Sequence, residues 1–166
     1  MNSRGKSVAF LGLCIALALI LAYVEILLPP ISTAAPGIKM GLPNLIIMFL
    51  FYRKGLRAAA TVSLLRVVLV SMLFGNIAAF LYSVAGAVLS LAVMVILRRL
   101  QCFSVVGISI CGAVAHNLGQ ILMAMLLFQT VQLGYYFVVL VVSGIVAGVL
   151  IGLGTSALIR RMPQSL

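Results

Sequence analysis

The stretch Pro43-Asn44-Leu45-Ile46-Ile47-Met48-Phe49-Leu50-Phe51-Tyr52-Arg53-Lys54-Gly55 reads as an apolar helix of ten residues, stopped by two cations and a glycine. At about 1.5 Å per residue such a helix covers only about 15 Å, half of a ~30 Å hydrocarbon core. Whether this segment crosses a membrane decides the fold. Residues 38–42 lengthen it, and Pro43 then serves as a kink or as the first helical residue.

The flanking sequence supplies the test. Residues 8–28, 56–74, 77–97, 105–128 and 133–159 are apolar runs of spanning length, punctuated by Pro29-Pro30, Gly75-Asn76, Arg98-Arg99 and Arg160-Arg161. With six crossings and a cytoplasmic N-terminus, Arg4, Lys6, Arg53, Lys54, Arg57, Arg98, Arg99, Arg160 and Arg161 all fall inside. Those are nine of the eleven cations; Lys39 falls outside and Arg66 within the bilayer. Without the second crossing, Arg53, Lys54 and Arg57 move outside. The reading is an all-α integral membrane protein, a compact bundle of six transmembrane helices forming a single domain over residues 1–166. The spans are expected at about 8–28, 38–52, 56–74, 77–97, 105–128 and 133–159, with both termini cytoplasmic. A cleaved signal peptide fits the first run poorly, because its apolar stretch is long and contains Glu25.

Composition agrees. Of 166 residues 65% are hydrophobic and 7% charged, against about 45–50% and about 25% in soluble domains. The net charge of +10 sits in small groups between apolar runs rather than in a basic face, which argues against nucleic acid as a partner and for a lipid bilayer. Three cysteines, Cys14, Cys102 and Cys111, have no disulfide or zinc spacing.

In lipid, helices associate through close backbone contact at small residues. Gly144, Gly148 and Gly152 form such a seam in the sixth run, Gly107, Gly112 and Gly119 mark the fifth, and Gly86 the fourth. In the first run, Gly12 and Ala16 and then Ala18 and Ala22 lie four apart. Packing inside the bundle explains all of these; docking to a partner membrane protein through Ala18 and Ala22 is the sharper alternative.

An ionisable group inside a span is costly and marks a candidate site. Three occur: Glu25, Arg66 and His116. Arg66 keeps its proton, so it needs an anion, carbonyls or water. It either pairs with Glu25, the sole carboxylate side chain, binds an anionic ligand group, or snorkels to headgroups. His116 and Gln120 share a helix face flanked by Asn117, offering uncharged donors and acceptors. With Asn76 and Tyr82 at similar depth, and Lys39 in the 31–42 loop above, these residues suggest a cavity open to the outside. Ligand binding is therefore expected at Arg66, Asn76, Tyr82, His116, Asn117, Gln120 and Lys39. Phe80, Phe128, Tyr135 and Tyr136 read as an interfacial belt or as pocket lining.

Several chemistries lack their residues. There is no phosphate-binding loop, no aspartate, no paired carboxylates and no metal-ligand spacing, so neither ATP hydrolysis, prenyl transfer nor a bound metal or other cofactor is expected. The chain is read as a non-enzyme.

Gly41-Leu42-Pro43-Asn44 opening a short second helix, with Ala18-x-x-x-Ala22 in the first, resembles the S components of energy-coupling factor (ECF) vitamin transporters. More closely, Pro43-Asn44-Leu45-Ile46, Leu64-Leu65-Arg66, Phe74-Gly75-Asn76, Tyr82-Ser83-Val84-Ala85-Gly86 and Gly112-Ala113-Val114-Ala115-His116-Asn117-Leu118-Gly119-Gln120 look like the Gx transporter family, also labelled heptaprenyl diphosphate synthase component I. The resemblance covers roughly residues 8–160. It implies an S-component-like protein of the prokaryotic cytoplasmic membrane that captures a small aromatic or anionic molecule for uptake. A coupling protein with two ATPases would supply the energy, docking at Ala18 and Ala22. The family label implies the alternative, a non-catalytic membrane subunit serving isoprenoid-quinone synthesis or flavin- and quinone-linked electron transfer.

Overall fold

A computed structural model describes residues 3–28 and 40–162. Six α-helices carry them: α1 (Ser3–Leu27), α2 (Asn44–Arg53), α3 (Leu56–Phe74), α4 (Ile77–Leu100), α5 (Val105–Phe128) and α6 (Tyr136–Arg161), with a 3-10 turn at Val131–Tyr135 before the last. Five of the helical segments are long and apolar enough to cross a membrane. Their outward faces carry exposed Val8, Leu13, Ile20, Val138, Val146 and Leu150, the surface expected of helices facing hydrocarbon.

The breaks follow local chemistry. Asn76 stands in extended backbone and its side chain accepts the Ala79 N–H at 2.8 Å, which starts α4; Ser104 does the same for α5 through Gly107 at 3.1 Å. Gln101 and Gln129, both left-handed, end α4 and α5. Gly55, at φ +86°, allows the tight reversal between α2 and α3.

The second helix is shorter than the 38–52 expected. Gly41 turns at φ +71°, and the N–H groups of Asn44, Leu45 and Ile46 bond back to Gly41, Leu42 and Pro43, so the helix opens only at Asn44. Residues 38 and 39 lie outside the described residues. Short as it is, α2 lies at the heart of the bundle: Ile46, Ile47, Met48, Phe49, Leu50 and Phe51 are all buried. Leu50 and Phe51 pack in one cluster with Ala18, Val62, Met94, Ile108 and Ile151, drawn from the five other helices.

Arginines close this end of the molecule. Arg98, in the last turn of α4, donates to the main-chain oxygen of Phe51 and, at 3.3 Å, to that of Tyr52, while its guanidinium lies 4.9 and 4.8 Å from their ring centres. Arg53 donates to Ile159 O at 3.3 Å and to Met162 O at the end of α6. The C-termini of α2, α4 and α6 therefore meet, and the last carbonyls of α2 and α6 are met by cations, as the helix dipole favours.

Glycines bring the backbones of α4, α5 and α6 together. A Cβ on Gly119 would stand 2.6 Å from Ala85 O, one on Gly148 2.5 Å from Ile110 Cα, and one on Gly152 2.7 Å from Val106 Cα. The seams in the fifth and sixth runs are thus spent on packing inside the chain.

Candidate functional site

The shortness of α2 leaves room. Beside its N-terminal half, where a full-length helix would have run on, lies a cavity of about 140 Å³ reached by α1 and by α3 to α6. A single water needs roughly 10–15 Å³ of such space, so the cavity admits on the order of ten waters or a small molecule.

Arg66 reaches it from the middle of α3. Its Nε is buried and has no hydrogen-bond partner among the described residues. Glu25, near the end of α1, lines the same cavity and is the coulombic partner of Arg66. No hydrogen-bonded ion pair joins them; Glu25 Oε1 instead accepts the backbone N–H of Gly41. The two readings of Arg66 thus meet in one place: it faces Glu25 and it faces the space.

His116, Asn117 and Gln120 line the cavity from α5, the stacked face expected from their spacing. Gly86 of α4 lies against this face, where a Cβ would stand 2.8 Å from His116 O and 2.9 Å from Gln120 Cγ. Asn117 has a further duty: its Nδ2 donates to Leu140 O at 2.7 Å, tying α5 to α6. Ser63, Ser71, Ser83, Ser90 and Ser109 add hydroxyls to the lining. Sequence reading placed Ser71 at this depth but passed over Ser63, Ser83, Ser90 and Ser109, because singly each is an ordinary residue of a packed span.

Other expected residues stand elsewhere. Asn76 is exposed and caps α4 rather than lining the cavity. Tyr82 is half-buried outside the lining, its hydroxyl without a hydrogen-bond partner among the described residues. Lys39 lies outside the described residues, as does nearly all of the 31–42 loop. None of Phe80, Phe128, Tyr135 and Tyr136 lines the cavity; Tyr135 is 84% exposed. Ala18 and Ala22 are 0% and 6% exposed, placed inside the bundle rather than on the surface a partner would meet. Of the small residues that α1 exposes, Gly5, Ala9, Gly12 and Ala16 are spaced along one face.

Among the described residues, no group of three or more His, Cys, Asp or Glu gathers as a metal site would require. The cavity thus offers one guanidinium, one carboxylate, an imidazole, three amides counting Asn44, and several hydroxyls. Chemically, such a set can hold and orient a small polar guest by charge and hydrogen bonds.

No curated protein and no solved structure matches the chain. A family model described as heptaprenyl diphosphate synthase component I matches residues 14–158, and the chain belongs to that family.

Proposed function

We propose that the protein is a multi-pass protein of the prokaryotic cytoplasmic membrane that binds a small polar molecule in the cavity beside α2, in the manner of an S component. One observation carries this reading: Arg66, its buried Nε without a hydrogen-bond partner among the described residues, faces a polar cavity inside an otherwise apolar bundle. Such a group is expensive to keep in a membrane and is retained for a ligand or a conduction path. Among the described residues the lining contains charged and amide side chains and no Phe or Tyr, which favours a charged guest.

In this reading α2 counts as the second of six crossings. Its C-terminus meets those of α4 and α6, as alternation requires, and the basic end they share faces the cytoplasm with both termini. A partner ECF coupling protein and its ATPases would supply the energy, since the chain has no nucleotide-binding loop. The partner would meet α1 on its exposed small face of Gly5, Ala9, Gly12 and Ala16, with the buried Ala18 and Ala22 holding α1 to the bundle.

The family name favours a second reading, a non-catalytic membrane subunit of isoprenoid-quinone synthesis or of flavin- and quinone-linked electron transfer. Purification from native membranes separates the two. Capture and uptake predict a retained small molecule lost in Arg66→Gln, and co-purifying ATPases. A synthase or flavoprotein in their place, with no retained small molecule in either form, overturns the first reading.

A further inference from the structure

The two charged side chains among the described cavity residues are of opposite sign and cancel. A guest with a net charge would leave that charge uncompensated in a low-dielectric interior. A guest without an anionic pole would leave the guanidinium donors unmatched. Glu25 has capacity to spare: an ionised carboxylate accepts at about four lone-pair positions, and the Gly41 N–H takes one.

We infer that the ligand, on the capture reading that this rests on, is a small zwitterion of amino-acid size whose carboxylate faces Arg66 and whose ammonium faces Glu25. Charge balance is then met with no extra proton or ion. The volume agrees, since about 140 Å³ suits a molecule of on the order of ten heavy atoms. Ser63, Ser83, Ser90 and Ser109 serve a polar substituent.

Three matched probes test this on the full chain in nanodiscs: L-serine, glycerate (ammonium replaced by hydroxyl) and L-serinamide (carboxylate replaced by amide). L-serine is expected to bind at least about tenfold tighter than either analogue, because each analogue strands one buried charge. Glu25→Gln is expected to reverse the preference toward glycerate, and Arg66→Gln toward serinamide. If one variant does not fold, the other and the wild-type comparison still decide. Equal binding of glycerate and L-serine overturns the inference, as does failure of L-serine to bind. Mass spectrometry of molecules released from the native protein tells the two failures apart. A retained molecule that is not a zwitterion overturns the inference alone, whereas an empty protein that binds none of the probes overturns the capture reading with it.

Discussion

Gly119 of α5 faces the backbone of Ala85 in α4 so closely that a Cβ on the glycine would stand 2.6 Å from the Ala85 carbonyl oxygen. The same approach repeats one turn along, where Gly86 lies against His116 O. These contacts set the distance between α4 and α5. They also fix the wall from which His116 and Gln120 reach the cavity. In a membrane, where apolar burial between helices gains little, such close backbone contact supplies much of the packing attraction.

Gly119→Ala should therefore destabilise the bundle by about 1–3 kcal/mol, because the obstacle is backbone and not a side chain that can rotate away. Gly148→Ala, blocked by Ile110 Cα, should behave alike. Gly12→Ala, with nothing within 4 Å, should be neutral or slightly stabilising through helix propensity. Thermal unfolding of the three variants in detergent checks the order; equal midpoints would mean that the seam does not bear on stability.

Arg98 makes a second prediction. It closes α2 through the carbonyls of Phe51 and Tyr52 and lies against both rings. Arg98→Gln should cost about 1.5–3 kcal/mol, the worth of hydrogen bonds to a charged group. Arg98→Lys should recover only part, since an ammonium neither forks between two carbonyls nor lies flat on a ring. Unfolding midpoints of the two variants measure this, and full rescue by lysine would contradict it.

The helices were legible because apolar length and punctuation are written locally: Gly75-Asn76 as a break, Arg98-Arg99 as a stop. The polar face of His116, Asn117 and Gln120 was legible too, since three- and four-residue spacing defines a helix face. Three-dimensional neighbours were not. Nothing local tells that the Ala18 face of α1 turns inward while the Gly12 face turns out. That is settled by the way separate helices meet. The serines of the cavity were hidden for the same reason: Ser63, Ser83 and Ser109 come from three helices and form one lining only after packing.

The two faces of α1 can be told apart by one substitution on each. Ala18→Leu forces a large side chain into a site that is 0% exposed, and should lower the yield of folded protein. Gly12→Leu adds the same bulk to an exposed position with nothing within 4 Å, and should leave folding unchanged. If a coupling protein docks on that face, Gly12→Leu should lose the partner in co-purification while keeping the fold. A partner retained by Gly12→Leu would remove this surface from the proposed assembly.

Cys102 decides whether α2 counts as a crossing. It is exposed, just past the end of α4, while Cys14 is buried within α1 and Cys111 is half-buried within α5. With six crossings and a cytoplasmic N-terminus, four helices precede Cys102 and return it to the cytoplasmic side. With α2 not crossing, only α1, α3 and α4 precede it, and it emerges outside. A membrane-impermeant maleimide should therefore modify Cys102 in inside-out vesicles and spare it in intact spheroplasts, with peptide mapping to confirm the site. Modification in spheroplasts would make α2 a buried re-entrant segment. It would also place Arg98, which caps that segment, on the outer face, against the charge asymmetry of the whole chain.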